Sequence, residues 1–236
     1  MAKKIVSAKQ LITKSNLKLE DIEPYTDAQR RFFHNYKDGR SQVLMGSAGV
    51  GKTFLAMYSA FDEILHKDNN YKRLVIVRSA VATREVGHLP GDLEEKQMIY
   101  ELPYRGICSE LFNNSNAYDM LKKNEAVQFM LTSYVRGITL DETIVIVDEF
   151  QNMTAHEADS VITRLGKNSK IILCGDTNQT DFTKYSEKKD IEVFMNVLRK
   201  IPNRVDFNEF SREDIVRSGL VRDYIMAKED KSAEQY

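Results

Sequence analysis

The sequence predicts a three-layer α/β fold, in which helices cover both faces of a mostly parallel central sheet. Apolar runs of strand length recur along the 236 residues, helical patterns separate several of them, and a glycine-rich loop joins one run to a helix. The runs span residues 42–45, 74–77, 127–131, 144–147, 170–174 and 205–207. Run 144–147 is apolar without alternation, as expected for a strand that is covered on both faces.

The glycine-rich loop matches the phosphate-binding pattern GxxxxGK[ST] at every required position. We expect its backbone N–H groups to surround the β-phosphate of a nucleoside triphosphate, Lys52 to reach the β- and γ-phosphate oxygens, and the Thr53 hydroxyl to bind Mg²⁺. A chance glycine-rich turn is the weaker alternative, because a strand precedes the loop and a helix-forming run follows it. The predicted nucleotide-binding residues of the loop are Gly46, Ser47, Ala48, Gly49, Val50, Gly51, Lys52, Thr53 and Phe54.

Two carboxylates, Asp148 and Glu149, directly follow the buried run 144–147. In open α/β sheets, ligands bind at the carboxyl ends of the strands. We therefore expect Asp148 to hold Mg²⁺ and Glu149 to orient or deprotonate the attacking water. A solvated acidic strand end is the alternative interpretation, and the intact phosphate loop weakens it.

Two glutamines are further candidates for contacts to the nucleotide. Gln179 lies in the polar loop after run 170–174 and is predicted to contact the γ-phosphate or its water, although a simple Gly-Asp-Asn turn is the alternative. Upstream of the phosphate loop, the Tyr25 ring is predicted to stack on adenine while the Gln29 amide reads the base edge, which favours ATP over GTP. An N-cap at Thr26 or Asp27 with a core aromatic residue explains the same segment.

Composition indicates one globular domain in a reducing compartment. The formal net charge of −1 gives no overall basic field, so a nucleic-acid partner would need a local groove. The two cysteines lack metal-ligand spacing, and no apolar stretch approaches about 20 residues, so we expect a cytoplasmic protein that neither crosses a membrane nor is secreted. We assign residues 1–23 to an N-terminal extension, 24–227 to the domain and 228–236 to a polar tail.

Two capping patterns predict helix starts in the second half of the chain. Thr154 and Glu157 form a capping box for a helix that is expected to end at Gly166. Ser211 and Asp214 are expected to start a terminal helix in the same way.

Seven segments, taken in chain order, closely resemble the PhoH family: residues 46–53, 77–96, 134–140, 147–152, 163–166, 175–181 and 214–221. The resemblance covers nearly the whole chain beyond Thr26. It implies a single RecA-like P-loop ATPase domain related to the helicases of superfamily one; some members also carry a fused RNase-like domain, for which residues 1–23 are too few. Phe150 stands where the family usually has alanine, and the prolines that follow Arg78 and Arg217 in the family are missing here.

An isolated RecA-like lobe is expected to take positive charge for its transition state from elsewhere. A helicase with two such lobes takes it from the second lobe, so we expect a neighbouring subunit to supply it here. This predicts a homo-oligomer, a head-to-tail ring such as a hexamer, with Arg217 as the first candidate and Arg164 and Arg136 behind it. A surface or ion-pair role is the alternative for each arginine.

Segment 78–105 mixes positive charge with rings that can stack on bases, so it is the predicted contact with a nucleic-acid strand, a plain connecting loop being the alternative. The residues concerned are Arg78, Arg84, His88, Lys96, Tyr100, Tyr104 and Arg105. The leading hypothesis is therefore an ATP-dependent helicase or translocase on RNA or single-stranded DNA. The alternative is a nucleotide-gated assembly ATPase without unwinding; a small-molecule kinase is weaker because Glu149 and Gln179 follow the water-activating pattern.

Overall fold

One sheet of six parallel strands organises the protein, which we describe from a computed structural model over residues 17–66, 70–79, 93–176 and 185–233. The strands are β1 (Ser41–Gly46), β2 (Arg73–Arg78), β3 (Val127–Leu131), β4 (Thr143–Asp148), β5 (Lys170–Gly175) and β6 (Val205–Phe210). Their order across the sheet is β3-β2-β4-β5-β1-β6, and every neighbouring pair is parallel. Each predicted strand is confirmed.

Helices cover both faces of this sheet, which confirms the predicted three-layer, RecA-like P-loop fold. They are α1 (Asp27–Tyr36), α2 (Lys52–His66), α3 (Leu93–Leu111), α4 (Ala117–Lys123), α5 (Ala155–Ile162), α6 (Tyr185–Arg199) and α7 (Gly219–Ala233). Helices α1 to α4 contribute to one hydrophobic core and α5 and α6 to the other. Strand interiors face both cores, so they are apolar on both faces.

The strand order brings three carboxyl ends together at one edge of the sheet. Strand β5 lies between β1, which leads into the phosphate loop, and β4, which ends at Asp148. Met45 of β1 is paired with Gly175, and Asp148 is paired with Cys174. Sequence elements about 100 residues apart are thereby held within two strand spacings of each other, or roughly 10 Å.

Helix α5 starts as predicted but ends early. Thr154 and Glu157 form the complete capping box that the sequence indicates. The predicted end at Gly166 is wrong, because Leu165 leaves the helix and forms a parallel bridge with Leu140. The helix therefore ends at Ile162.

The second capping pattern is also present, although it does not start the terminal helix. Ser211 and Asp214 cap a single 3₁₀ turn over residues 212–214, and α7 begins only at Gly219. The interruption has a tertiary cause: the Val216 N–H donates to the carbonyl of Gly49 in the phosphate loop at 3.1 Å. The chain leaves helical geometry to make that contact.

The described chain begins in the first core and ends in helix α7. Leu17 and Leu19 are buried in the first core, and the Glu20 N–H donates to the carbonyl of Leu111. Helix α7 continues to Ala233, into the segment predicted as a polar tail. Within the described ranges, every helix is too short or too polar to cross a membrane.

Candidate nucleotide site

The phosphate loop connects β1 to α2 through a backbone that only glycine adopts easily. Gly49 and Gly51 have φ angles of 85° and 89°, in the left-handed region. The Lys52 ammonium donates to the carbonyls of Gly46 at 2.6 Å and Ser47 at 2.8 Å. Since both carbonyls belong to the loop, the ammonium lies within the loop that the sequence pattern assigns to phosphate.

The phosphate loop and the end of β4 meet through one side-chain contact. The Thr53 hydroxyl donates to Oδ1 of Asp148 at 2.7 Å, although the two residues are 95 positions apart in the chain. Asp148 is 6% exposed. The two residues that the sequence assigns to Mg²⁺ are thus brought together by the parallel sheet.

The residues at this point fit a magnesium ion. Burial raises the pKa of Asp148 and repulsion from the Glu149 carboxylate adds to it, while hydrogen bonds from Thr53 and Tyr104 and the charge of Arg78 oppose the rise. A divalent cation would offset this excess of negative charge, and hydroxyl and carboxylate oxygens are the ligands Mg²⁺ prefers. Within the described chain no three or more acidic, histidine or cysteine side chains are grouped to hold a metal alone, so phosphate oxygens and water would complete the shell.

Glu149 adopts a backbone conformation that is costly for a non-glycine residue, with φ 54° and ψ 43°. A short 3₁₀ turn over Phe150–Asn152 follows it. Oε2 of Glu149 accepts a hydrogen bond from Nε2 of Gln151 at 2.5 Å. Oε1 of the same Gln151 amide accepts a hydrogen bond from the N–H of Asp176 at 3.0 Å. One amide therefore joins the proposed catalytic carboxylate to the end of β5.

Gly175 allows this turn to lie against β5. A Cβ at this position would come 2.4 Å from Oε1 of Gln151 and 2.6 Å from Cδ1 of Phe150. Phe150 is fully buried in the second core, which explains how the chain accommodates a ring where the family usually has alanine. The carboxylates Asp148 and Glu149 precede Phe150 in the sequence, and the amides Gln151 and Asn152 follow it.

Gln29 lies against the phosphate loop. Its Nε2 donates to the carbonyl of Val50 at 3.2 Å, and its Oε1 accepts from the N–H of Tyr25 at 2.8 Å. The N-cap that the sequence offered as the alternative explanation is also present, because Oγ1 of Thr26 accepts a hydrogen bond from the Gln29 N–H at the start of α1. The ring of Tyr25 is 84% exposed and free to meet a base, so the contact with adenine stays a prediction.

Arg217 lies on the phosphate loop of its own chain. A Cβ on Gly49 would come 2.9 Å from Cγ of Arg217, and the neighbouring Val216 binds Gly49 through its backbone. Asp214 holds this segment to the start of α1: burial alone would raise its pKa, but hydrogen bonds from Thr26 and Ser211 lower it. Sequence reasoning made Arg217 the first candidate for an arginine that acts in the nucleotide site of a neighbouring subunit. In the structure, Arg217 lies beside the candidate nucleotide site of its own subunit.

The two remaining candidate arginines lie elsewhere. Arg136 is exposed, near the carboxyl end of β3 and next but one to the exposed ring of Tyr134. Arg164 is partly buried just beyond the end of α5. Neither position tests whether the residue acts across a subunit boundary.

Tyr104 does not offer a ring for stacking on a base, and this prediction is wrong. Helix α3 buries the side chain completely, with its ring 5.7 Å from that of Phe129 and its hydroxyl donating to Oδ2 of Asp148 at 2.9 Å. No sequence pattern distinguishes such a tyrosine from an ordinary core aromatic, so its proximity to Asp148 could only be found in the structure.

The other predicted strand-binding residues have mixed positions. The Arg78 guanidinium lies 5.9 Å from the centre of the Tyr100 ring, at the carboxyl edge of the sheet. Arg105 is engaged within the domain instead, since it pairs with Asp119 at 2.7 Å and lies over the ring of Tyr118. Arg84, His88, Gln179 and the side chain of Lys96 lie outside the described part of the protein.

Comparison with known families identifies the chain. A family model described as PhoH-like protein matches residues 21–229. The chain belongs to the PhoH family. The match begins near the point where the sequence resemblance begins and extends into α7.

Among individual relatives, a PhoH-like protein of Synechocystis sp. is 34% identical over 211 residues, which are 89% of this chain and 63% of that protein. A PhoH-like protein of Bacillus subtilis is 33% identical over 92% of this chain and 66% of its own length. Protein PhoH of Escherichia coli is 30% identical over 85% of this chain and 57% of its own length. The chain therefore spans about three fifths of the length of these relatives.

Solved structures with a similar fold are more distant. The large terminase of a thermophilic bacteriophage has a TM-score of 0.49 and 12% identity, and the match covers 84% of this chain and 48% of that one. The Pif1 helicase of Candida albicans has a TM-score of 0.33 and 14% identity, over 82% and 41% of the two chains. At these scores the similarity carries no inference about activity.

Proposed function

We propose that this PhoH-family domain hydrolyses ATP to ADP and phosphate in the cytoplasm and uses the reaction to move along or unwind RNA or single-stranded DNA. The observation that supports hydrolysis most strongly is the 2.7 Å contact between Thr53 and Asp148, with Glu149 beside it. A phosphate loop, a metal-binding carboxylate and a second carboxylate are the parts that water-mediated cleavage of a γ-phosphate requires.

Binding of the triphosphate would begin at the loop. Its inward N–H groups meet the β-phosphate, and Lys52 exchanges its two carbonyl partners for β- and γ-phosphate oxygens, which accept stronger, charge-assisted hydrogen bonds. Mg²⁺, when bound, neutralises charge on the β- and γ-phosphate oxygens. Thr53 and Asp148 are the residues that would hold it.

Glu149 would act on the attacking water. Gln151 holds one of its carboxylate oxygens, which leaves the other to accept a hydrogen bond from water and orient its oxygen toward the γ-phosphorus. A bond forms from that oxygen to phosphorus while the bond to the β-phosphate oxygen breaks, and the water's proton passes to Glu149 or to solvent. Gln179, which follows β5, is proposed to contact the γ-phosphate or this water and so distinguish ATP from ADP.

The base would lie beside Tyr25 and Gln29. Gln29 already contacts Val50 of the loop, so its amide is held next to the nucleotide, and the exposed Tyr25 ring precedes it. Phe54, the residue after Thr53, completes the proposed nucleotide contacts. An amide presents both a donor and an acceptor, as the edge of adenine does, which supports ATP as the substrate.

Arginines would supply the positive charge of the transition state. The position of Arg217 beside Gly49 supports a contact within its own subunit. Arg164 and Arg136 remain the candidates for a contact from a neighbouring subunit, for which we propose a head-to-tail homo-oligomer such as a hexameric ring. Arg78 and Tyr100, at the carboxyl edge of β2 and on α3, are the described residues proposed to meet the nucleic-acid strand.

One surface favours a second function, the control of assembly. Leu220 and Tyr224 lie one turn apart on α7 and are 84% and 67% exposed. Ile225 of the same helix packs toward Gly49, so this apolar surface adjoins the phosphate loop. A nucleotide that alters the loop would also alter the surface, as a nucleotide-gated assembly ATPase requires.

ATP hydrolysis measured with and without single-stranded RNA and DNA separates the two functions. The motor hypothesis predicts a severalfold rise in turnover with at least one polymer, with a multimeric mass by light scattering in the same buffer. The Lys52→Ala variant, prepared in parallel, measures contaminating ATPase. Turnover that neither polymer changes would favour the assembly function, and an absence of turnover above the variant's would overturn hydrolysis itself.

A further inference from the structure

A buried tyrosine outside every recognised motif contacts the proposed metal ligand. Tyr104 lies in the middle of α3 and is inaccessible to solvent. Its hydroxyl donates to Oδ2 of Asp148 at 2.9 Å, while Thr53 donates to Oδ1 at 2.7 Å. Both carboxylate oxygens are therefore held, one by the phosphate loop and one by α3.

The direction of this hydrogen bond is set by the carboxylate. Arg78, which lies in the strand position paired with Asp148, adds positive charge beside it. An ionised carboxylate can only accept hydrogen bonds. The Tyr104 hydroxyl therefore gives its single proton to Asp148.

We propose that Tyr104 is a positioning residue that orients the Asp148 carboxylate for Mg²⁺. With one oxygen anchored by α3, the carboxylate would keep its orientation if the Thr53 hydroxyl turned from Asp148 to a bound metal. Mg²⁺ demands near-octahedral geometry at about 2.0–2.1 Å, so a ligand that is free to rotate binds it less well. The inference rests on the proposed function only in taking Asp148 as the metal ligand.

Replacing the hydroxyl alone tests this role. In Tyr104→Phe the ring keeps its packing on Phe129, and Asp148 loses one hydrogen bond. Removal of such an outer partner reduces metal affinity by about 10- to 100-fold. The matched control is Tyr118→Phe, which removes the hydroxyl of another fully buried tyrosine in the same core, from the neighbouring helix α4.

Two readouts are measured on the purified full chain. The first is the affinity for ADP, by calorimetry, across a series of Mg²⁺ concentrations that includes none; the second is the Mg²⁺ concentration for half-maximal ATPase activity. Two Mg²⁺ midpoints follow from these data: the concentration that gives half of the change in ADP affinity and the concentration that gives half-maximal ATPase activity. We expect Tyr104→Phe to raise both midpoints by about tenfold and to leave the ADP affinity without Mg²⁺ unchanged. Tyr118→Phe should match the wild type.

Unchanged Mg²⁺ midpoints in Tyr104→Phe, whatever its turnover or melting temperature, would overturn the proposal and leave the tyrosine a packing residue. A loss of stability alone does not shift a ligand midpoint measured on folded protein. The calorimetric arm decides the role of Tyr104 even if the wild type proves not to hydrolyse ATP, so failure here is distinguishable from failure of the proposed function.

Discussion

Two regions on either side of the phosphate loop are built differently. The inner site, defined as Lys52, Thr53, Asp148 and Glu149, consists of side chains that are buried or half-buried and held by hydrogen bonds to one another or to the sheet edge. The outer rim, defined as Tyr25, Gln29, Gly49 and Arg217, combines a buried amide and a glycine with two exposed side chains.

The difference indicates a division of labour. Groups that must meet developing charge gain from being fixed before the substrate arrives, because no free energy is then spent on reorganising them. Groups that recognise a base or a neighbouring surface can close on it after it binds. We therefore expect changes at the catalytic carboxylate of the inner site to reduce turnover and changes at the outer rim to reduce affinity, while Lys52, which would contact the triphosphate directly, contributes to affinity as well.

The largest expected effect is at Glu149. The variant Glu149→Gln keeps the size of the side chain but cannot accept a proton, so turnover should fall by about 10²- to 10⁴-fold while ATP binding is kept. Single-turnover hydrolysis and equilibrium ATP binding measure the two quantities separately. Glu125→Gln is a matched control, because Glu125 also has a positive φ of 58° but is exposed beyond α4.

Turnover of Glu149→Gln within twofold of the wild type would remove Glu149 from the mechanism and with it the distinction between the inner site and the outer rim. A loss of ATP binding in Glu149→Gln would show instead that the Glu149 carboxylate contributes to binding ATP rather than to the hydrolysis step.

A smaller effect should follow from crowding the contact between β5 and the turn after Glu149. In Gly175→Ala the new Cβ would displace Gln151, which it would approach to 2.4 Å, and so release the hold on Glu149. Misplacing a catalytic group by about 1 Å can cost about 10²-fold, so we expect turnover to fall by roughly 10- to 100-fold with ATP affinity kept.

Gly106→Ala is the control for this change, because a Cβ there meets nothing within 4 Å on the exposed side of α3. If Gly175→Ala turned over as fast as Gly106→Ala, the amide of Gln151 would not be what orients Glu149.

The smallest effect is expected at the outer rim. Arg217→Ala should weaken ATP binding by about tenfold, the loss of one charge-assisted hydrogen bond, and should lower turnover at limiting ATP by a similar factor. Arg222→Ala, which removes an exposed arginine from the adjoining helix α7, is the control.

Mixing Arg217→Ala subunits with Glu149→Gln subunits, with turnover measured at limiting ATP, asks whether Arg217 acts across a subunit boundary. Our placement predicts no recovery, since the only subunits with a working Glu149 lack the arginine in the same chain. Recovered turnover in the mixture would show instead that Arg217 supplies its positive charge to the nucleotide site of a neighbouring subunit.

Much of the inner site was predictable because its parts are local in sequence. The run 144–147 ends in Asp148 and Glu149, and parallel strands present their carboxyl ends at one edge of a sheet, so a pattern read along the chain predicts a meeting in space. The six strands were predictable for the same reason, since buried parallel strands are continuous apolar runs.

What sequence reasoning missed depends on contacts between distant segments. Tyr104 has the composition and spacing of a core aromatic, and only the packing of α3 on the sheet brings its hydroxyl to Asp148. The cap at Ser211 was recognised, but the contact of Val216 with Gly49 that delays α7 has no local signal. The outer rim is assembled almost entirely from such contacts.

Equilibrium binding of labelled ATP in the presence of Mg²⁺ tests the central claim most directly, when the wild type is compared with Lys52→Ala and with Lys200→Ala, a change at an exposed residue that follows α6. Hydrogen bonds to charged groups contribute about 1.5–3 kcal/mol, so Lys52→Ala should bind ATP roughly 10- to 150-fold more weakly, while Lys200→Ala binds as the wild type does. If wild type and Lys52→Ala held ATP equally well, or if neither held it, the phosphate loop would not be the nucleotide site of this protein.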